Sequence, residues 1–249
     1  VRDRDFREGD LASVGRMIEG FTGAEIMMLV RDARRLARQE KRDLTIEDLR
    51  TIALPPIRNN DKLMARNSIH EAGHAVACLV LGVGQVKKVV VGAGNDGSEG
   101  QTQIDFAAND GMTRHALDNN ITMLLSGRAA EKVILGAASV GSGGADQSDL
   151  ARATRLVVGM YVSVGLVDSL TYLGAIAEAH QHLSYDPILR AKVEKHLQRL
   201  QKRADALVRK YRIVIEKVAE ALQERRYLSG DTVRKIFDDH ANRTEQNND

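Results

Sequence analysis

The 249-residue sequence has no tryptophan, one cysteine and three prolines, and only 4% of its residues are aromatic. A lone cysteine, Cys78, allows no internal disulfide, and nothing resembles a secretory signal. Both absences point to a reducing compartment. No apolar run approaches the roughly 20 residues needed to span a bilayer. The longest, Ala75 to Val83, belongs to a predicted helix. A formal net charge of +2 argues against nucleic acid as the main partner. The phosphate-loop pattern GxxxxGK[ST] is missing, so this chain cannot hydrolyse ATP by itself. Gly92-Ala93-Gly94-Asn95-Asp96-Gly97 matches GxGxxG, but no helix is predicted after it. Asn-Asp-Gly between two extended segments instead predicts a hairpin. With so few prolines and long helical periodicities, the fold class is mainly α.

The chemistry that is present centres on His70-Glu71-Ala72-Gly73-His74. Residues four apart share a helix face, so the two imidazoles can converge on one metal ion. The glutamate between them then lies where it can take a proton from a water. Three polar side chains in a helix this apolar are costly to bury unless something binds them. The alternative is two histidines hydrogen-bonded within a core helix. Gly73 costs roughly 1 kcal/mol relative to alanine in a helix, so a neighbour is expected to pass close to its backbone.

Two histidines do not complete a zinc site, which usually takes three protein ligands and keeps one position for water. The extended pattern HExxHxxGxxH fails, because Ala77 and Val80 stand where glycine and histidine would be. Cys78 sits one turn beyond His74 and reads better as a small buried hydrophobe. Asp149 heads a predicted helix whose Ala153, Leu156 and Met160 recur at helical spacing, so its carboxylate belongs to a buried face. Complementing the helix dipole explains it equally well. Asp146 reads as a residue before the first turn that caps it. Glu131 is a further candidate, with an Arg128–Glu131 pair as its ordinary explanation.

Together these residues resemble the FtsH family of membrane-anchored AAA+ zinc proteases. The blocks that carry the resemblance are His70 to Ala75, Gly127-Arg128-Ala129-Ala130-Glu131 and Asp149-Leu150-Ala151-Arg152-Ala153-Thr154, in the family's order. It implies a mainly α protein, a helical AAA+ lid followed by a helical zinc metallopeptidase domain with a small β-hairpin or sheet. It further implies that His70, His74 and Asp149 bind Zn2+, that Glu71 is the catalytic base and that Glu131 supports the site. Gly100 and Thr102 match a short family segment at the cleft edge, where an exposed strand can pair with an extended substrate; a sheet edge without that role is the alternative. Ile69 stands where the family usually has an aromatic residue, and Lys132 where it often has a second acid.

A second resemblance covers Gly20 to Arg38, which looks like the lid of an AAA+ module. Thr22 with Glu25, and Thr45 with Asp48, have capping-box spacing. Leu54-Pro55-Pro56 should end the second of these helices. The expected division is therefore a lid over 1–54, a linker over 55–60, a peptidase domain over 61–241 and a disordered tail over 242–249. Val1 in place of methionine agrees with a C-terminal portion of a longer protein. The resemblance implies that the full-length protein uses ATP and Mg2+, forms a homo-hexamer, cleaves polypeptides and carries an upstream membrane anchor, with these domains on the cytoplasmic side. The rival reading is a pseudo-peptidase that serves only binding or oligomerisation. Beyond Asp186-Pro187 two long amphipathic helices are predicted, with a basic stretch, Arg190 to Lys210, that reads as a solvated face. His115, His180, His182, His196 and His240 show no ligand spacing.

Overall fold

The computed structural model describes residues 6, 8–18, 21–54, 61–92, 100–106, 113–167 and 170–246, with residues 8–10, 13 and 241–246 described by backbone alone. Three helices come first: α1 (Glu8–Met17), α2 (Gly23–Gln39) and α3 (Ile46–Ala53). Both capping boxes form. Thr22 N–H donates to Glu25 Oε2 at 2.7 Å, and Glu25 N–H returns a bond to Thr22 Oγ1 at 3.3 Å. Asp48 accepts from Thr45 N–H at 2.8 Å and takes both arms of the Arg42 guanidinium at 2.6 Å each. Those bonds hold its buried carboxyl well below the usual carboxylate range. The three helices close over their own small cluster of Val14, Leu29, Ala33, Ala37, Leu44 and Leu49. Helix α3 stops at Ala53 with Leu54 extended as its C-cap, and Pro55, Pro56 and the rest of the linker lie outside the described residues.

The larger cluster is built around α4 (Asp61–Leu81), the predicted metal helix. Every residue from Ser68 to Cys78 is buried, the mark of a helix enclosed on all sides rather than along one stripe. It packs against β1 (Gly84–Val91), β2 (Gly100–Phe106) and α5 (Arg114–Ile134). Helix α6 (Asp149–Val162) lies against α5, as does α7 (Pro187–Lys210). Helix α8 (Arg212–Arg225) packs on α4, and a short strand, β3 (Tyr227–Ser229), leads into α9 (Gly230–Gln246). None of the described helices is long and apolar enough to cross a membrane.

The sheet order is β2-β1-β3 with both pairings antiparallel. Strand β1 is therefore central and β2 has an outer edge without a described strand partner. The tip expected over Gly92 to Gly97 falls mostly outside the described residues, but a strand and not a helix resumes at Gly100. Strand β3 was not expected. Arg226, with φ +61°, turns the chain out of α8, and Val91 N–H donates to the Arg226 carbonyl at 3.0 Å. Three residues are too few for any periodicity to announce a strand.

Other details correct the sequence reading. The cap of α6 is Ser148, whose hydroxyl accepts from Ala151 N–H, and not Asp146, which is exposed. Helix α9 continues to Gln246, past Asn242 where a disordered tail was expected to begin. Once Ser229 Oγ accepts from Thr232 N–H and the first turn is set, each added residue costs little. Within the basic stretch, Arg199 donates to Asp118 at 2.8 Å and Arg203 to Asn119 at 2.6 Å, so part of that face is pinned to α5. His196 is buried on the same Asp118, at 2.8 Å, as a structural residue.

Candidate metal centre

Helix α4 presents His70 and His74 one turn apart toward α5 and the start of α6. Two glycines make this approach possible. A Cβ at Gly73 would fall 2.6 Å from the Ser126 carbonyl oxygen, so α4 and α5 meet backbone to backbone there. A Cβ at Gly127 would lie 2.5 Å from Nε2 of both histidines. The absence of a side chain at Gly127 is thus what leaves space in front of the two imidazoles.

Asp149 fills the third corner. His70 Nε2 and His74 Nε2 are each 3.1 Å from Asp149 Oδ2, and 3.0 Å from one another. These three ligand atoms form a near-equilateral triangle, and among the described residues this is the one cluster of three metal-binding side chains. A tetrahedral zinc at its usual bond lengths spaces its ligands by about 3.3 Å. The triangle would therefore fit such an ion after a small outward adjustment, with His70, His74 and Asp149 as the residues that would hold it.

The remaining ring nitrogens fix which atoms face the centre. His74 Nδ1 is 2.9 Å from the Met123 carbonyl, and His70 Nδ1 is 2.8 Å from Glu131 Oε1. Both partners only accept, so each Nδ1 carries the proton and each neutral ring turns the lone pair of Nε2 inward. Two bare lone pairs this close, beside a carboxylate, call for a cation. The acid–base balance says the same. Burial pushes both histidines toward lower pKa, yet Asp149, joined at His70 by Glu131, outweighs it and raises both. The acidic groups here thus draw positive charge to the rings, as protons or as a metal ion that takes their place. Burial likewise raises Asp149, and the two imidazoles more than reverse that.

Glu131, 1% exposed, carries more than the expected helix pair. Its Oε2 accepts from Arg66 Nη1 at 2.7 Å and from Ser139 N–H at 2.7 Å, while Oε1 holds His70. Arg66 Nη1 also donates to the Ala137 carbonyl at 2.8 Å. Burial raises the Glu131 pKa, but its bonds to His70, Arg66 and Ser139 bring it down to about 2. It is a strut between the metal helix and the loop after α5, held in its ionised form by those three partners.

The opposite side of the centre is β2. Thr102 Oγ1 donates to Glu71 Oε2 at 2.6 Å and lies 3.2 Å from the Glu71 backbone carbonyl. A Cβ at Gly100 would fall 2.8 Å from Glu71 Oε1. Centre and strand together line a cleft of about 640 Å³, whose walls include Ile104, Phe106, Met123 and Leu124. That volume accommodates a stretch of polypeptide.

The structure brings His70, Glu71, His74, Glu131, Asp149, Gly100 and Thr102 to this one cleft. It leaves Asp146 exposed and Cys78 elsewhere, buried with its thiol on the Gly84 carbonyl at 3.4 Å and pushed up to about 11 by burial. Sequence reasoning missed Arg66, Ser139 and the Met123 carbonyl. Arg66 precedes His70 by four residues on one helix and was in principle findable; the other two carry no local signal.

The chain is similar to known proteins over most of its length. The family model described as peptidase family M41 matches residues 58–236. Among similar curated proteins, the ATP-dependent zinc metalloprotease FtsH 2 of Symbiobacterium thermophilum is 32% identical over 247 residues, covering 92% of this chain and 41% of the relative. The ATP-dependent zinc metalloproteases FtsH of Thermotoga maritima and Magnetococcus marinus are each 29% identical over 92% of this chain, which covers 41% and 37% of them. The chain thus spans about two-fifths of the length of the relatives it matches.

Proposed function

The chain belongs to peptidase family M41, and from that premise we propose that it is the peptidase portion of an ATP-dependent zinc endopeptidase. The observation that carries this reading is the triangle of His70 Nε2, His74 Nε2 and Asp149 Oδ2. Zinc held there supplies Lewis acidity toward a water and toward the scissile carbonyl. Glu71, beside the triangle, takes the proton of the attacking water and delivers it to the departing amine. Glu131 and the Met123 carbonyl keep both imidazoles in the tautomer that faces the centre. The outer edge of β2, without a strand partner among the described residues, offers main-chain hydrogen bonds to an extended segment, which gives affinity with little sequence demand. Unfolded polypeptides are the substrate class this favours, and the family resemblance adds membrane-associated ones.

The same reading divides the chain into an ATPase lid over 1–54 and a peptidase domain over 61–241. The separate small core of α1 to α3 supports that division. The ATP-dependent names and greater length of the relatives support an ATPase core outside this chain; a membrane anchor, a homo-hexamer and a cytoplasmic face are what the family resemblance adds to the proposal.

Elemental analysis of protein purified without metal-affinity resin tests the centre. About one zinc per chain is expected, with most of it lost in Asp149→Ala. Equal zinc in both proteins would move the third ligand, and none after reconstitution would overturn the reading.

A further inference from the structure

A general base must be aimed as well as present, and nothing on α4 aims Glu71. Among the described residues, Thr102 is the only side chain that hydrogen-bonds its carboxylate. The Thr102 hydroxyl has one proton and two acceptors in reach, Glu71 Oε2 at 2.6 Å and the Glu71 carbonyl at 3.2 Å. The shorter, charged acceptor takes the proton. Thr102 itself is held by the sheet, because it pairs directly with Val89, a fully buried residue of the central strand. Gly100, two residues away on the same strand face, leaves the space that Glu71 Oε1 occupies.

We propose that Thr102 is a positioning residue for Glu71, with Gly100 providing the room, so that the seating of β2 sets the aim of the base. This rests on Glu71 being the base. Thr102 fixes Oε2 and leaves Oε1 as the oxygen able to take a proton. A polypeptide pairing with the outer edge of β2 would then grip the very strand that orients the base, which couples substrate engagement to the readiness of the carboxylate.

The test compares Thr102→Val, Thr102→Ser, Gly100→Ala and Glu71→Gln in the complete protein with ATP, using an unstructured fluorogenic polypeptide. Losing a hydrogen bond to a carboxylate that matters in the transition state should lower kcat about ten- to a hundredfold in Thr102→Val. KM should stay within about twofold and zinc content should be full. Thr102→Ser should recover to within about threefold of wild type. Gly100→Ala should be at least as impaired as Thr102→Val, since the added methyl displaces only the flexible end of Glu71. A second readout needs no turnover. Amide exchange across 100–106 should quicken equally in Thr102→Val and Glu71→Ala, and no further in the double variant. Unchanged kcat in Thr102→Val, a change in KM alone, or failure of Thr102→Ser to rescue would overturn the proposal. If Glu71→Gln stays active, it is instead the assignment of the base that fails.

Discussion

On the helical wall of the cleft the Glu131 carboxylate is held from three directions, whereas among the described residues the strand wall holds Glu71 through one hydroxyl. On the helical side, Glu131 takes bonds from Arg66, His70 and Ser139, and the His74 ring is fixed by the Met123 carbonyl. Those partners come from α4, α5 and the loop that follows, all close to the main core. On the strand side, Thr102 is half-buried on an edge strand. The difference separates two tasks. Holding a metal is over-determined by the fold; aiming a base depends on how one strand is seated.

That contrast can be broken most severely at Gly127. A methyl there would sit 2.5 Å from both Nε2 atoms, so Gly127→Ala should cost zinc affinity by more than about a hundredfold. The helices should survive, because the obstruction meets side-chain tips and alanine favours helix over glycine. Zinc competition with a chelator beside far-UV circular dichroism reads both; near-normal affinity would mean that the triangle can widen and that the helical wall yields. A middle-sized effect is expected at the strut. Glu131→Gln removes the charge that fixes His70, and losses of about 10- to 100-fold in metal affinity are usual for such outer partners. If instead Glu131→Gln changes turnover while leaving zinc binding alone, the two walls are not as separate as the contacts imply. The smallest effect belongs to Ser148→Ala, which removes the cap of the helix that carries Asp149. It should lower stability by about 0.5–1 kcal/mol, seen as a slightly lower melting temperature with zinc stoichiometry intact.

Much of this cleft could be read from local spacing. The facing of His70 and His74 followed from their four-residue spacing on one helix, and both capping boxes followed from three-residue spacing. Those signals live within one or two turns of chain. Asp149 was legible only as one of several candidates until the resemblance singled it out, because its meeting with His70 joins positions 79 apart. The Glu131–His70 bond spans 61 positions and the Thr102–Glu71 bond spans 31. Helical spacing around Glu131 suggested Arg128 as its partner, yet burial turned the carboxylate toward α4, where Arg66 and His70 could satisfy it. Strand β3 escaped for a related reason: it exists because β1 has a free side to pair with, not because Tyr227-Leu228-Ser229 demands extension.

The pairing of Lys88 with Ser229 has a bearing on how this polypeptide is made. Roughly 140 residues must follow the central strand before its second neighbour emerges, and contacts so distant in the chain form late. During synthesis the strand beside the metal helix is left with β2 on one flank and a bare flank on the other. The hydrolytic cleft therefore sits on a platform that is completed only when translation has passed α8, and a ribosome stalled before that point would carry a half-built sheet instead of a finished blade.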